Sequence, residues 1–297
     1  MRTLGRVLLG VLIWLPAGFV PASEPADFTL QQDVTYRVVD ETPLKLDLAI
    51  PTGPGPFPAV VFVHGGGWIM GHRSRYAYEI EEAARQGFVA ATITYRLSKT
   101  GVDTPSVDGF PAALEDVKAA IRYLRTNHKE LHVDPKRVGV VGESAGGHLA
   151  LMAGLTRPSD GFEGSPPADA ASSEVQAVVN VSGATDLTAL WRSSERVRPA
   201  LVVLLGGTAV ARSEAYRKAS PVAYARKDAP PILSIHGSHD GVIPVGQAQR
   251  LEEAITKAGG RHTVVILKDA GHRLRRDDYR RSVYTTFHFL TWALKRK

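Results

Sequence analysis

Six apolar runs in this chain, at residues 59–63, 89–95, 137–141, 175–181, 232–236 and 263–267, are nearly continuous rather than alternating. A strand with one wet face alternates polar and apolar side chains, so a continuous run marks a strand covered on both faces. Helix-period stretches lie between the runs. Val117, Ala120, Ile121 and Leu124 share one helix face; so do Leu251, Ala254, Ile255 and Ala258, and then Val283, Phe287, Leu290 and Leu294. Strands buried on both faces and separated by helices require a parallel α/β sheet with right-handed crossovers. Upstream, residues 33–39 and 44–50 read as an antiparallel pair, because Leu44, Leu46, Leu48 and Ile50 alternate with polar or small residues.

Two segments stand outside this rhythm. Residues 156–173 are polar, rich in Gly and Pro, and long for a connection, which predicts a surface loop near the functional site. Residues 187–207 are partly apolar, with Trp191 and the run 201–205, and suit a short cap over the sheet. The first 22 residues form a separate object. Arg2 and Arg6 precede an apolar stretch at 7–20 and small residues ending at Ala22, the layout of a secretory signal. The stretch is short for a bilayer span and is interrupted by Pro16 and Gly18. The expectation is a signal peptide over 1–22, a catalytic domain over 23–297, and a secreted or periplasmic product without stable membrane insertion.

The chain has no cysteine, which excludes disulfides, thiolate metal sites and a cysteine nucleophile. Its formal charge of +6 comes from Lys and Arg scattered among acids, the pattern of a solvated surface rather than of a nucleic-acid partner.

Chemistry enters with Gly142-Glu143-Ser144-Ala145-Gly146, which follows the run 137–141 and opens a helical stretch. The G-x-S-x-G pattern alone is weak, with about 0.15 copies expected by chance at this composition. Its setting is the informative part. A tight strand-to-helix turn presses backbone on backbone, so the positions two before and two after the serine must be small, and Ser144 is left exposed. His64-Gly65-Gly66-Gly67-Trp68 follows another apolar run. Its glycines leave backbone N–H groups uncovered, able to approach a developing oxyanion.

A serine nucleophile needs a base, and the base needs an orienting acid. Of the ten histidines, His272 in Asp269-Ala270-Gly271-His272 lies just beyond a C-terminal strand. Asp240 follows the strand 232–236, with Asp186 as the rival acid; Asp186 better suits a brace above the site. The order Ser144, Asp240, His272 is that of the α/β hydrolases. His64 is expected to hold the glycine loop, His148 to pack, and Glu143 to buttress the serine turn. Asp116 and Arg96 are expected to form a structural ion pair. Nothing pairs His236 and His239 with a third ligand, so neither a metal nor a cofactor is expected. Trp68 and Trp191 are two candidate flat surfaces for a substrate ring.

His64–Trp68, Tyr95-Arg96-Leu97, Gly142–Gly147 with His148, and Asp240 with Val242-Ile243-Pro244 together resemble the carboxylesterase branch of the α/β hydrolases. The likeness is to hormone-sensitive-lipase-like esterases and, more closely, to bacterial polysaccharide-associated acetyl and feruloyl esterases. It implies an α/β-hydrolase fold, with an eight-stranded, mostly parallel sheet flanked by helices and a small cap or loop insertion. It also implies the triad Ser144, Asp240 and His272, and an oxyanion hole from the amides of Gly66, Gly67 and Ala145. The implied substrates are short-chain or aromatic esters, small or polysaccharide-linked. Three alternatives stay open: a kynurenine-formamidase-like amidohydrolase, a prolyl-oligopeptidase-like peptidase and a non-catalytic binding protein on the same fold.

A histidine base must be neutral to accept a proton, and free imidazole titrates at about 6.5. We therefore expect kcat/KM on a chromogenic acetyl ester to rise through about pH 6–7.5 and to plateau on the alkaline side. An optimum near pH 5 would exclude a histidine base.

Overall fold

The computed structural model describes residues 27–100 and 108–295. The signal-peptide expectation for residues 1–22 lies outside them. Eight strands form one sheet in the order β1-β2-β4-β3-β5-β6-β7-β8. They are β1 (Phe28–Val39), β2 (Thr42–Pro51), β3 (Phe57–Val63), β4 (Val89–Ile93), β5 (Val133–Glu143), β6 (Ala177–Val181), β7 (Ile232–Gly237) and β8 (His262–Leu267). β1 and β2 pair antiparallel, as does β2 with β4, and β4-β3-β5-β6-β7-β8 run parallel.

All eight sequence runs are therefore strands, with shifted ends. β1 begins five residues earlier than its pattern suggests. Its Thr29–Gln31 stretch carries no alternation because this edge is exposed, and it is held by pairing to β2. β4 stops at Ile93, before Tyr95, whose ring leaves the sheet to stack on His64 with centroids 4.3 Å apart.

The helices are α1 (Ala77–Arg85), α2 (Ala112–Thr126), α3 (Ala145–Leu155), α4 (Leu187–Ser193), α5 (Arg198–Leu205), α6 (Ser213–Lys218), α7 (Gly246–Lys257) and α8 (Arg276–Leu294). They divide between two cores. α1 and α8 cover one face through Ile80, Ala83, Phe287, Leu290 and Leu294. α2, α3 and α7 cover the other through Val117, Ile121, Leu149, Leu251 and Ile255. α3 lies deepest, with every residue buried, which explains why its sequence is apolar all round.

α4, α5 and α6 form an insertion between β6 and β7. This is the cap anticipated at residues 187–207, and it settles as helices rather than a loop. It rests on the glycine loop: a Cβ added at Gly67 would lie 3.5 Å from the Ala200 Cβ. The segment 156–173 is a correction. It follows the far end of α3 and packs along α2, where Glu163 binds Lys118 and Arg122 (2.6 Å to the latter). Buried Phe162 meets Phe110 edge-on at 5.2 Å. The loop covers α2, and among the described residues none of its hydrogen bonds reaches Ser144, Asp240 or His272.

Asp116 has a fully buried carboxylate between Arg37 (2.6 Å) and Arg96 (2.9 Å), as the expected ion pair requires. The backbone N–H of Arg96 also donates to it at 2.9 Å, so one carboxyl joins β1, α2 and the end of β4. Removing one partner of a buried pair strands the other charge. Asp116→Ala should cost about 3 kcal/mol, read from the urea midpoint. A loss below about 0.5 kcal/mol would place this cluster among surface pairs.

Candidate active site

Ser144 sits between β5 and α3 with φ +56° and ψ −119°, a conformation costing a non-glycine residue about 1–3 kcal/mol. Its N–H donates to the Val181 carbonyl at 2.8 Å, and its own carbonyl accepts from His148 N–H at 3.0 Å. The neighbouring glycines explain how the turn closes. A Cβ at Gly142 would lie 2.1 Å from the Gly146 carbonyl oxygen, and one at Gly146 would lie 2.0 Å from that of Val63. No side chain fits either gap. The glycine loop then runs beside this turn, since a Cβ at Gly65 would stand 2.9 Å from the Glu143 carbonyl oxygen.

Ser144 Oγ is 2.9 Å from His272 Nε2, and His272 Nδ1 is 2.7 Å from Asp240 Oδ2. Ser144, Asp240 and His272 are thus brought into one hydrogen-bonded line from three distant stretches of chain. Asp240 Oδ1 accepts the N–H groups of Val242 (2.9 Å) and Ile243 (2.8 Å). Burial opposes charge on this carboxyl, but His236, His272 and the Ile243 amide outweigh it and hold its pKa well below the usual carboxylate range. Asp240 therefore stays an anion at neutral pH. His236 Nε2 lies 3.5 Å from Oδ2 and 2.7 Å from the Ile243 carbonyl, a brace for the acid turn that sequence reading did not assign.

Asp186, the rival acid, caps α4 by accepting from Ala189 N–H at 2.9 Å. It braces the cap, as expected. Gly66 and Gly67 have φ of +129° and +61°. Among the described residues the N–H groups of Gly66, Gly67 and Ala145 donate to no protein acceptor, and Ala145 is the first residue of α3, where such donors are free.

A family model described as BD-FAE matches residues 46–255. The chain belongs to the BD-FAE family. Esterase LipC of Mycobacterium tuberculosis is 35% identical over 226 residues, which cover 73% of this chain and 53% of LipC. The chain spans about half the length of the curated relatives it matches. A truncated carbohydrate esterase from gut microbiota has a TM-score of 0.75 at 25% identity, covering 93% of this chain and 99% of that one. Thermogutta terrifontis esterase 2, phosphorylated by paraoxon, has a TM-score of 0.71 at 26% identity, covering 94% and 99%. The fold of this BD-FAE chain is the α/β-hydrolase fold.

Around the BD-FAE site, several side chains hold rather than react. His64 is buried, its Nδ1 is 2.8 Å from the Gly65 carbonyl, and its own carbonyl accepts from the Tyr95 hydroxyl at 2.9 Å. Trp68 corrects an expectation: it is 1% exposed and meets His148 edge-on, so it offers no surface to a substrate. Its indole N–H donates to His148 Nδ1 at 3.1 Å, while His148 Nε2–H donates to the Ala219 carbonyl at 2.7 Å. Trp191, on α4, is half-buried against Tyr216 and the Arg198 guanidinium. Glu143 pairs with Arg75 at 3.1 Å, across the gap between β5 and the 3-10 turn Arg73–Tyr76. Among the described residues no group of three His, Asp or Glu could hold a metal ion.

Burial pushes the His148 pKa down to about 4, and the carbonyl bond to Ala219 only partly offsets this. Protonation would turn Nδ1 into a second donor and break the Trp68 bond. The unfolded imidazole takes its proton at about 6.5 and the folded one only near 4, so stability is full above 6.5 and declines as pH falls between those values. His262, also held down to about 4 by burial, adds in the same direction. Melting temperature should drop over this window and drop less in His148→Gln, even if that variant starts lower. Identical slopes in both proteins would remove His148 from the account.

Proposed function

We propose that the protein is a serine carboxylic-ester hydrolase with Ser144 as nucleophile. The observation that carries this reading is the line Ser144 Oγ–His272–Asp240, at 2.9 and 2.7 Å. In it, His272 Nε2 takes the Ser144 proton as Oγ attacks the ester carbonyl. Asp240 fixes the tautomer with the proton on Nδ1 and stabilises the imidazolium. The amides of Gly66, Gly67 and Ala145 donate to the tetrahedral oxyanion, the alcohol leaves with the proton from His272, and water then releases the acid by the same path. Every group in this scheme belongs to the chain, so the reaction needs no cofactor.

The substrates we infer are acetyl or hydroxycinnamoyl esters carried on polysaccharide, met outside the cytoplasm as the 1–22 segment suggests. The likeness to a gut carbohydrate esterase and membership of the BD-FAE family support this reading. So does the cap, which is short and lies close over the glycine loop. Trp191 is the aromatic surface assigned to the substrate. No helix among the described residues is long and apolar enough to cross a membrane.

Ser144→Ala and His272→Ala should each lower kcat on nitrophenyl acetate by about 10⁵–10⁶, the double variant adding little. Asp240→Asn should cost about 10⁴, and Asp186→Asn should act mainly on stability. Paraoxon should add one diethyl phosphoryl group to the wild type and none to Ser144→Ala, by mass spectrometry. A folded Ser144→Ala retaining more than a few per cent of activity would sink the assignment. Nitrophenyl esters of two to sixteen carbons, methyl ferulate, acetylated xylan, formylkynurenine and a prolyl-peptide chromogen separate the substrate classes. Greatest kcat/KM at long acyl chains, with activation at an oil–water interface, would mean a lipase instead.

A further inference from the structure

The face of the sheet opposite α3 carries a cavity of about 530 Å³ that the proposed reaction leaves unused. It lies between the start of α1 and α8, over Phe62, Val141 and Val181 of the central strands. Its walls include Glu143 and Arg273, the chain neighbours of Ser144 and His272, so one end adjoins the reacting centre. Tyr279, Val283 and Phe287 are shared with a second hollow of about 560 Å³, which continues between α1 and α8 past Tyr78, Arg280 and Tyr284. The two form one groove.

Charge along this groove is one-sided. Of the exposed arginines that follow His272, Arg273, Arg276 and Arg280 line the groove, and among the described residues none of these three has a carboxylate within ion-pair distance. The carboxylates that face the groove are already engaged. Glu143 is held by Arg75, Glu82 lies 3.8 Å from Arg85, and Glu79 accepts from the Tyr279 hydroxyl in a buried setting that pushes its pKa up. Asp277 and Asp278 sit in the first turn of α8, where the helix dipole favours them.

Spacing adds to charge. Arg276, Arg280 and Tyr284 follow at four-residue steps, one helical turn or about 6 Å apart on one stripe of α8. Tyr78 and Tyr284 are 58% and 73% exposed, with Tyr284 stacking on His288 at 6.3 Å, so both rings stay largely open to water beside unpaired guanidinium groups. Arginine matches the planar fork of a carboxylate, and an exposed tyrosine ring offers a flat face with a polar tip. A ladder of such groups fits a polymer with repeated carboxylates better than a single small anion. An anionic membrane fits less well, because the exposed rings carry hydroxyls and the stripe lacks the apolar side chains that enter lipid.

We propose that this groove binds acidic glycan, with uronate carboxylates on Arg273, Arg276 and Arg280 and sugar faces on Tyr78 and Tyr284. The polymer would be held where its ester reaches Ser144; that last step rests on the esterase reading, whereas the binding does not. The test is calorimetric titration of the full chain with de-esterified oligogalacturonate, which contains no ester to cleave. Xylo-oligosaccharide of equal length and phosphatidylglycerol vesicles serve as comparisons. Oligogalacturonate should bind at low salt and be lost at about 0.5 M NaCl, where screening is nearly complete. Combining Arg273→Gln, Arg276→Gln and Arg280→Gln should weaken it by about tenfold or more, with the melting temperature unchanged. Tyr284→Ala should weaken it several-fold. The proposal is overturned by no binding at low salt, by equal binding of xylo-oligosaccharide, by unchanged affinity in both folded variants, or by binding of vesicles alone. A protein that hydrolyses esters but ignores oligogalacturonate loses the groove and keeps the esterase. One that binds but cleaves no ester does the reverse.

Discussion

The contact between the Gly146 backbone and the Val63 carbonyl is the constraint on which the rest of the site depends. A methyl group on Gly146 would stand 2.0 Å from that carbonyl oxygen, so α3 could not enter the sheet where it does. Because it does enter, β5 ends in a turn too tight for ordinary backbone angles, and Ser144 takes the strained conformation. The strain is balanced by surroundings that leave the turn no alternative. Ser144 N–H is bonded to β6, Gly147 lies against Asn180, and α3 is buried along its whole length. The Ser144 side chain is thus held between a fully buried helix and a strand end to which its own backbone is bonded.

Two further layers build outward from that contact. The glycine loop after β3 lies alongside the serine turn because Gly65 lets it approach, and it is stiffened from beneath by His64 on Tyr95 and by Trp68 on His148. These histidines are buried and held toward neutrality, which suits bracing and not proton transfer. On the other side, the turn after β7 wraps Asp240 with two amides and His236, so the carboxylate meets His272 as a fixed anion. The two histidines that brace the glycine loop and the aspartate that meets His272 therefore differ in electrostatic character: burial holds His64 and His148 toward neutrality, whereas Asp240 is held as an anion.

Much of this was legible in the sequence. Continuous apolar runs in β3 to β7 announced strands covered on both faces, because burial on both sides leaves only one kind of residue acceptable; β8 is apolar too, but at the sheet edge its Thr263 and Ile266 are exposed. The serine turn was legible for a similar reason: a backbone clash tolerates only glycine. Strand ends were less so. Tyr95 looked like strand because it is apolar, yet its place is set by stacking on His64, thirty-one positions away. Trp68 looked like a binding surface from its position beside the glycines, but whether a tryptophan faces water or core depends on the partner that meets it, here His148. The loop at 156–173 misled in the same manner, since length and polarity reveal a surface segment without saying which surface.

By itself the sequence determined the sheet, the order of its strands along the chain and the residue types at each tight turn, since these follow from local sterics and from burial. It also narrowed the acid to two aspartates. Only the tertiary structure separates Asp240 from Asp186 in space, because both follow parallel strands and only three-dimensional distance distinguishes the one 2.7 Å from His272 from the one capping α4. Likewise only the fold brought α1 against α8, turning a run of arginines that reads as a solvated helix start into one wall of a groove. Electrostatic surroundings are summed over space, and neighbours in space are not neighbours in sequence.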